Sequence, residues 1–224
     1  MVSNEDVQKN IMHSGTSLVG IVCKDGIVMA GDRKSTAGGQ IVMNKNAQKV
    51  VQINDYLVLS GTGVASDIDM LQKLVAAQLK LKELKDRKKP TVKESANLVA
   101  NIAYNNIRQP AMIQFVAGMM VGGVNADGDA ELYSVEPAGS VMKVDDFDAN
   151  FSSGMPYILG LLERQYKPNM SMADGVKLAI ESIKSSSERD TASGCGVDVF
   201  TITKDGIKQV SAMKSEAVYS ERKN

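Results

Sequence analysis

The sequence has little that marks the commonest catalytic centres. In 224 residues there is one histidine, His13, no tryptophan, and two cysteines, Cys23 and Cys195. A single histidine nearly excludes a triad that relies on an imidazole base. Two cysteines cannot form a disulfide framework, and no metal-ligand spacing accompanies them. Charge of one sign is also missing: Lys+Arg and Asp+Glu each total 26. That balance gives no electrostatic footprint for nucleic acid, and zero net charge favours association over a solitary existence. No apolar run approaches the about 20 residues of a membrane span. The opening MVSNEDVQKNIMHSG lacks the apolar centre of a secretory signal. These absences leave one domain in a reducing, cytoplasmic compartment as the expectation.

Residues 1–15 are polar and aperiodic, as in a flexible leader, and order is expected to begin at Thr16. Two apolar, β-branched runs follow, Ser17–Cys23 and Ile27–Ala30, around Lys24-Asp25-Gly26, a strong hairpin signal. Their near-continuous apolar character predicts a hairpin covered on both faces. Further strands are expected at 48–53 and 56–61. The period then lengthens: Met70, Leu71, Leu74, Val75, Gln78 and Leu79 follow helical spacing, extended by Leu81 and Leu84. Thr91-Val92-Lys93-Glu94 reads as a capping box opening a second helix to about 108. Strands are expected at 113–124 and 130–135, helices at 155–166 and 171–187, and strands at 197–203 and 206–211 around a second Lys-Asp-Gly turn. The thirteen methionines lie mostly in apolar stretches and read as core filler. Strands, two helices, strands, two helices, strands predict an α+β four-layer αββα sandwich of two antiparallel sheets.

Without an imidazole base, one remaining route to nucleophilic catalysis is an N-terminal threonine whose own α-amine activates its hydroxyl. An α-amine titrates near 7.7–8.0, about the working pH. The junction Gly15-Thr16, between leader and first strand, is a place where cleavage would create such a terminus. Glycine there leaves room for the Thr16 hydroxyl to approach the preceding carbonyl. The dipeptide alone carries almost no weight.

The surrounding segments carry it. They are GTSLVGIVCKDG at 15–26, MAGDR at 29–33, NKNAQK at 44–49 and SGTGVASD at 60–67, then SSGMPY at 152–157, ERDTASG at 188–194 and GVDV at 196–199. Over residues 15 to about 210 the chain resembles the proteasome β-subunit family, the archaeal members most closely. The resemblance implies an N-terminal nucleophile hydrolase fold, a propeptide at 1–15 and a catalytic domain at 16–224. It implies Thr16 as nucleophile and base, with cleavage between Gly15 and Thr16. Lys49 would lower the pKa at the threonine, Asp32 would orient this lysine, and the Gly63 N–H would donate to the oxyanion. Ser153, Asp190 and Ser193 would hydrogen-bond around the threonine amine. Taken singly, Asp32 also fits a strand-end turn, Lys49 a surface lysine, Gly63 a tight turn, and Asp190 and Ser193 loop caps. The joint pattern has no such explanation.

The chain departs from the family pattern in three places. Ser17 and Leu18 follow Thr16 where further threonines are usual. The loop Ala37-Gly38-Gly39-Gln40 is one residue longer than is usual in the family, so Lys49 matches only with a gap; without it Gln48 takes the place, and Lys45 is a distant alternative. Phe151-Ser152 replace a usual Thr-Gly, and Thr191 a serine. The pocket for the side chain before the scissile bond would be lined by Ser35, Ala47, Val51, Gly61, Ala65 and Asp69. Gly61 would deepen it, and Asp69 at its end would favour cleavage after Arg or Lys, unless its side chain points into solvent. The implied activity is a threonine endopeptidase acting on unfolded polypeptide, one that requires no metal or organic cofactor. The implied partners are other β subunits in a heptameric ring, α-type subunits and, indirectly, an ATPase regulator, with no nucleic acid or membrane. A structural, inactive ring subunit and a small-molecule amidase of the same nucleophile class are the alternatives.

Overall fold

A computed structural model describes residues 13–37 and 39–215. Most of the expected leader, residues 1–12, lies outside the described residues. Ordered backbone nevertheless begins ahead of Thr16: β1 (His13–Ser14) pairs antiparallel with β7 (Leu57–Val64), Ser14 opposite Gly63. The expectation that order starts at Thr16 is corrected by this short strand.

The first sheet runs β1-β7-β8-β9-β10, with β8 at Ala117–Val124, β9 at Ala130–Val135 and β10 at Val141–Val144. β6 (Val50–Gln52) shares with β1 the edge of β7 that β8 leaves open. The second sheet runs β11-β2-β3-β12-β13. Its strands are β11 (Phe147–Asp148), β2 (Leu18–Cys23), β3 (Gly26–Asp32), β12 (Gly196–Thr203) and β13 (Gly206–Lys214). A two-stranded hairpin, β4 (Ser35–Ala37) with β5 (Ile41–Asn44), stands apart. Both Lys-Asp-Gly sequences form the expected tight hairpins, with Cys23 opposite Gly26 and Thr203 opposite Gly206.

Helices α1 (Ala65–Asp86) and α2 (Val92–Ile107) pack on the first sheet; α3 (Met155–Gln165) and α4 (Met172–Ser187) pair, and α4 packs on the second. The reciprocal capping box at the start of α2 is present: Glu94 N–H donates to Thr91 Oγ1 at 3.1 Å and Thr91 N–H to Glu94 Oε2 at 2.8 Å. α1 begins well before the expected position 70. It buries Ile68, Leu71, Val75 and Leu79 and leaves Met70, Leu74, Leu81 and Leu84 exposed.

Period-two alternation sorts side chains into three cores. Ile27 and Met29 of β3 face the space between the sheets, whereas Val28 and Ala30 face α3 and α4. Leu57 and Leu59 of β7 face α1 and α2, whereas Val58 points between the sheets. β3 is therefore buried along its whole length, as its apolar run predicts. Three cores between four layers are the αββα sandwich. Met29, Met119 and Met120 fill the cores, but Met43, Met70, Met112 and Met142 lie at the surface.

Candidate active site

Because β1 belongs to the first sheet and β2 to the second, residues 15–17 cross from one sheet to the other at the mouth of the sandwich. Thr16 is fully buried there, and so are Ser17 and Asp32. The Asp25-Gly26 hairpin folds β3 back so that Asp32 ends beside Ser17, its N–H donating to Ser17 O at 3.0 Å. Lys49 immediately precedes β6, on the same edge of the first sheet that receives β1.

Asp32 is held by four donors. Ser17 N–H and Lys49 Nζ reach Oδ1 at 2.9 and 2.8 Å. Lys34 N–H and Gly194 N–H reach Oδ2 at 3.0 and 2.9 Å. A carboxylate accepts about four hydrogen bonds, so this one is saturated and its plane is fixed. Lys49 is buried, and its Nζ also donates to the carbonyl oxygen of Gly15 at 2.7 Å. Burial pushes the Lys49 ammonium below the usual lysine range, against the opposing pull of Asp32.

On the other side of the junction, Thr16 N–H donates to Ser153 Oγ at 3.0 Å. Ser153 lies just ahead of α3, where Gly154 N–H donates to Thr16 O at 3.1 Å. Asp190, in the loop between α4 and β12, accepts from Ser153 Oγ at 2.6 Å and from Ser193 Oγ at 2.5 Å. The structure thus brings Thr16, Asp32, Lys49, Ser153, Asp190 and Ser193 into one continuous network about the Gly15–Thr16 peptide.

Gly63 sits opposite Ser14 in the β1–β7 ladder, one residue back from Gly15. Its φ is 123°, and a Cβ there would lie 2.2 Å from Val116 O, so only glycine fits. The donor that meets the Gly15 carbonyl is Lys49 Nζ.

Of the residues expected around the specificity pocket, Ser35, Ala47, Gly61, Ala65 and Asp69 line one cavity of about 140 Å³, with Gln48, Lys49, Ile68 and Gln72. Val51 is not among them. A Cβ on Gly61 would stand 2.6 Å from Ile68 Cγ2 and 2.9 Å from Met119 Sδ, so Ile68 and Met119 take the space that glycine leaves. Asp69 is 63% exposed, and Lys73 pairs with it at 2.6 Å.

Sequence reading did not assign Ser186, Lys34, Gly194 or Ile68. Ser186 carried one legible signal: Ser182 and Ser186, four apart, both fall on the buried face of α4. Lys34 donates from Nζ to Thr191 O at 3.2 Å and so ties the 190–194 loop to the residue after Arg33. Among the described residues, no group of three or more His, Cys, Asp or Glu could hold a metal ion, and no helix is long and apolar enough to cross a membrane.

The model of a family described as "Proteasome subunit" matches residues 12–202. A protein named proteasome subunit beta from Archaeoglobus profundus is 37% identical over 93% of this chain and 94% of its own length. Its namesake from Nanoarchaeum equitans is 35% identical over 87% of this chain and 96% of its own. Proteasome subunit beta 1 of Thermococcus kodakarensis is 38% identical over 88% and 93%.

Proposed function

Because the chain belongs to the proteasome subunit family, a family of assembled subunits, we propose that it is a catalytic β subunit, a threonine endopeptidase made latent by residues 1–15. The observation that carries this reading is the Lys49 contact: a buried lysine donates to the carbonyl of the very peptide bond that precedes the nucleophile.

In the first step the Thr16 hydroxyl attacks the Gly15 carbonyl carbon. Lys49 Nζ stabilises the charge that develops on Gly15 O, a contribution worth about 2.7–4 kcal/mol for a well-placed donor. The C–N bond breaks, the hydroxyl proton ends on the leaving nitrogen, and an ester links Gly15 to Thr16. Water then hydrolyses the ester and leaves Thr16 with a free amine. β1 lies along the edge of β7 as an added strand, the pose an extended substrate takes by β-augmentation. Departure of the leader frees that edge for a polypeptide.

In the mature subunit the Thr16 amine is the base for its own hydroxyl. Ser153 Oγ, already 3.0 Å from that nitrogen, orients it. Gly63 N–H is the second oxyanion donor once the leader has gone. A heptameric ring of β subunits, stacked on α-type subunits and fed unfolded protein by an ATPase in the cytoplasm, completes the reading.

Mass spectrometry of the purified assembly tests it. The expected N-terminus is Thr16, with Thr16→Ala retaining the leader and lacking peptidase activity. Peptide cleavage by an assembly that keeps the Gly15–Thr16 bond intact would overturn the proposal.

A further inference from the structure

We infer that Ser17 and Ser186 are positioning residues for the base of the reaction, a proposal that rests on the threonine-protease reading above. Neither touches the scissile bond. Ser17 Oγ lies 2.8 Å from Ser193 Oγ and 2.6 Å from Ser186 Oγ, and all three hydroxyls are fully buried.

Each hydroxyl has one proton, so the direction of the chain follows from its anionic end. Ser193 gives its proton to Asp190 Oδ2. It can then only accept from Ser17, which in turn can only accept from Ser186. Ser153 approaches both Asp190 Oδ2, at 2.6 Å, and Thr16 O, at 3.2 Å. The shorter bond to the carboxylate takes its proton. That leaves a lone pair of Ser153 Oγ facing Thr16 N. The hydroxyl order therefore runs Ser186 to Ser17 to Ser193 to Asp190, and Ser153 joins at the same carboxylate oxygen.

Two further observations locate the anchor. Ser186 stands near the end of α4, which packs on β2 and β3, so the relay ties the network to a helix. A Cβ on Gly154 would lie 2.1 Å from both Ser17 Oγ and Ser186 Oγ, so the glycine vacates the space in which these hydroxyls meet. Gly154 N–H meanwhile holds Thr16 O. Without Ser17, Ser186 loses its acceptor and Ser193 its donor; Ala192 N–H still holds Asp190 Oδ1 at 3.1 Å, but the Ser193 hydroxyl that meets Oδ2 is no longer fixed from behind. Ser153 then shares Oδ2 with a hydroxyl of unset direction, and its lone pair toward Thr16 N is less firmly placed.

The test uses the processed, assembled enzyme and separates kcat from KM on one fluorogenic peptide. Ser17→Ala is expected to lower kcat about tenfold, the equivalent of one buried hydrogen bond, with KM unchanged. Ser17→Thr, which keeps the hydroxyl, is expected to restore kcat. Ser186→Ala is expected to fall between wild type and Ser17→Ala, because Ser17 keeps its bond to Ser193. Wild-type kcat in Ser17→Ala, a loss confined to KM, or a Ser17→Thr no better than Ser17→Ala would overturn the inference. If Ser17→Ala does not assemble, wild-type kcat in Ser186→Ala overturns it. Inactivity of the wild type itself would instead overturn the protease reading, so the two failures are distinguishable.

Discussion

Replacing Lys49 by methionine removes one ammonium and keeps a chain of similar length. Two effects follow from the geometry. Asp32 loses its only buried counter-ion, at 2.8 Å among the pairs of the described residues, but keeps Ser17, Lys34 and Gly194 N–H. Breaking a buried pair costs 3–5 kcal/mol, and the surviving donors place this case at the low end, about 3 kcal/mol. The Gly15 carbonyl simultaneously loses its 2.7 Å donor. Loss of one oxyanion donor slows acyl transfer by about 10²–10³-fold. The single variant is therefore expected to be both less stable and unprocessed. A second variant, Asp32→Asn with Lys49→Met, removes the uncompensated charge. It is expected to recover only part of the lost stability in chemical denaturation, because its amide NH2 must face Ser17 N–H or the Lys34 and Gly194 N–H groups, while remaining unprocessed. Time-resolved mass spectrometry of the N-terminus after expression reads the chemistry, and urea unfolding reads the fold. Processing of either variant at the wild-type rate would refute the assignment of Lys49 to the scissile carbonyl. Equal stability of the single and double variants would refute the charge argument.

Other consequences are simpler. Asp69 is 63% exposed and paired with Lys73, and exposed pairs are worth about 0–1 kcal/mol, so a preference for basic side chains resting on Asp69 would be weak. Lys73→Ala is expected to raise the ratio of cleavage after Arg to cleavage after Leu by about two- to fivefold; an unchanged ratio in paired fluorogenic peptides would place Asp69 outside recognition. The Cys23 thiol is raised to about 11 by burial, reinforced by Asp174 and Asp25. At pH 8 about a thousandth of it is thiolate, so iodoacetamide should label Cys23 only after unfolding; rapid labelling of the native protein would contradict its environment. Thr91→Ala removes the capping box of α2 and is expected to lower the unfolding free energy by about 1 kcal/mol in urea titration.

The fold was legible wherever one residue could reveal its surroundings. Unbroken apolar runs in β2 and β3 announced strands covered on both faces, and the Thr91–Glu94 box announced a helix start. The elements that the sequence does not announce are set by partners rather than by composition. β5 carries the apolar run Ile41–Met43 yet is exposed along its whole length, and β4 is short, so the hairpin they form stands outside the cores that hydrophobic pattern announces. β1 carries no strand signal and exists because β7 offers it an open edge. α1 begins at Ala65, where the first turn packs Ile68 over Gly61, a contact between a helix and a strand that periodicity alone does not contain. Gly61 illustrates the limit. Its lack of a side chain suggests a deeper pocket, yet the neighbouring Ile68 and Met119 occupy the volume.

The same reasoning decides the lysine. In sequence, Gln48 and Lys49 compete for one place because a single loop residue shifts the comparison. In three dimensions they are not competitors. Adjacent residues entering a strand point to opposite sides, and here Gln48 is exposed whereas Lys49 is buried with its Nζ between Asp32 Oδ1 and Gly15 O. Lys45, the remaining alternative, is exposed on another cavity lined by Lys34 and Lys184. A lysine turned inward just ahead of β6 would be left with an unpaired buried charge unless an anion stood opposite, and Asp32 stands there only because the β2–β3 hairpin returns it. Lys49 and Asp32 therefore explain each other's burial, which neither the hairpin nor the loop explains alone. The pair's remaining free direction is toward Gly15 O, so the ion pair and the scissile carbonyl form one electrostatic unit.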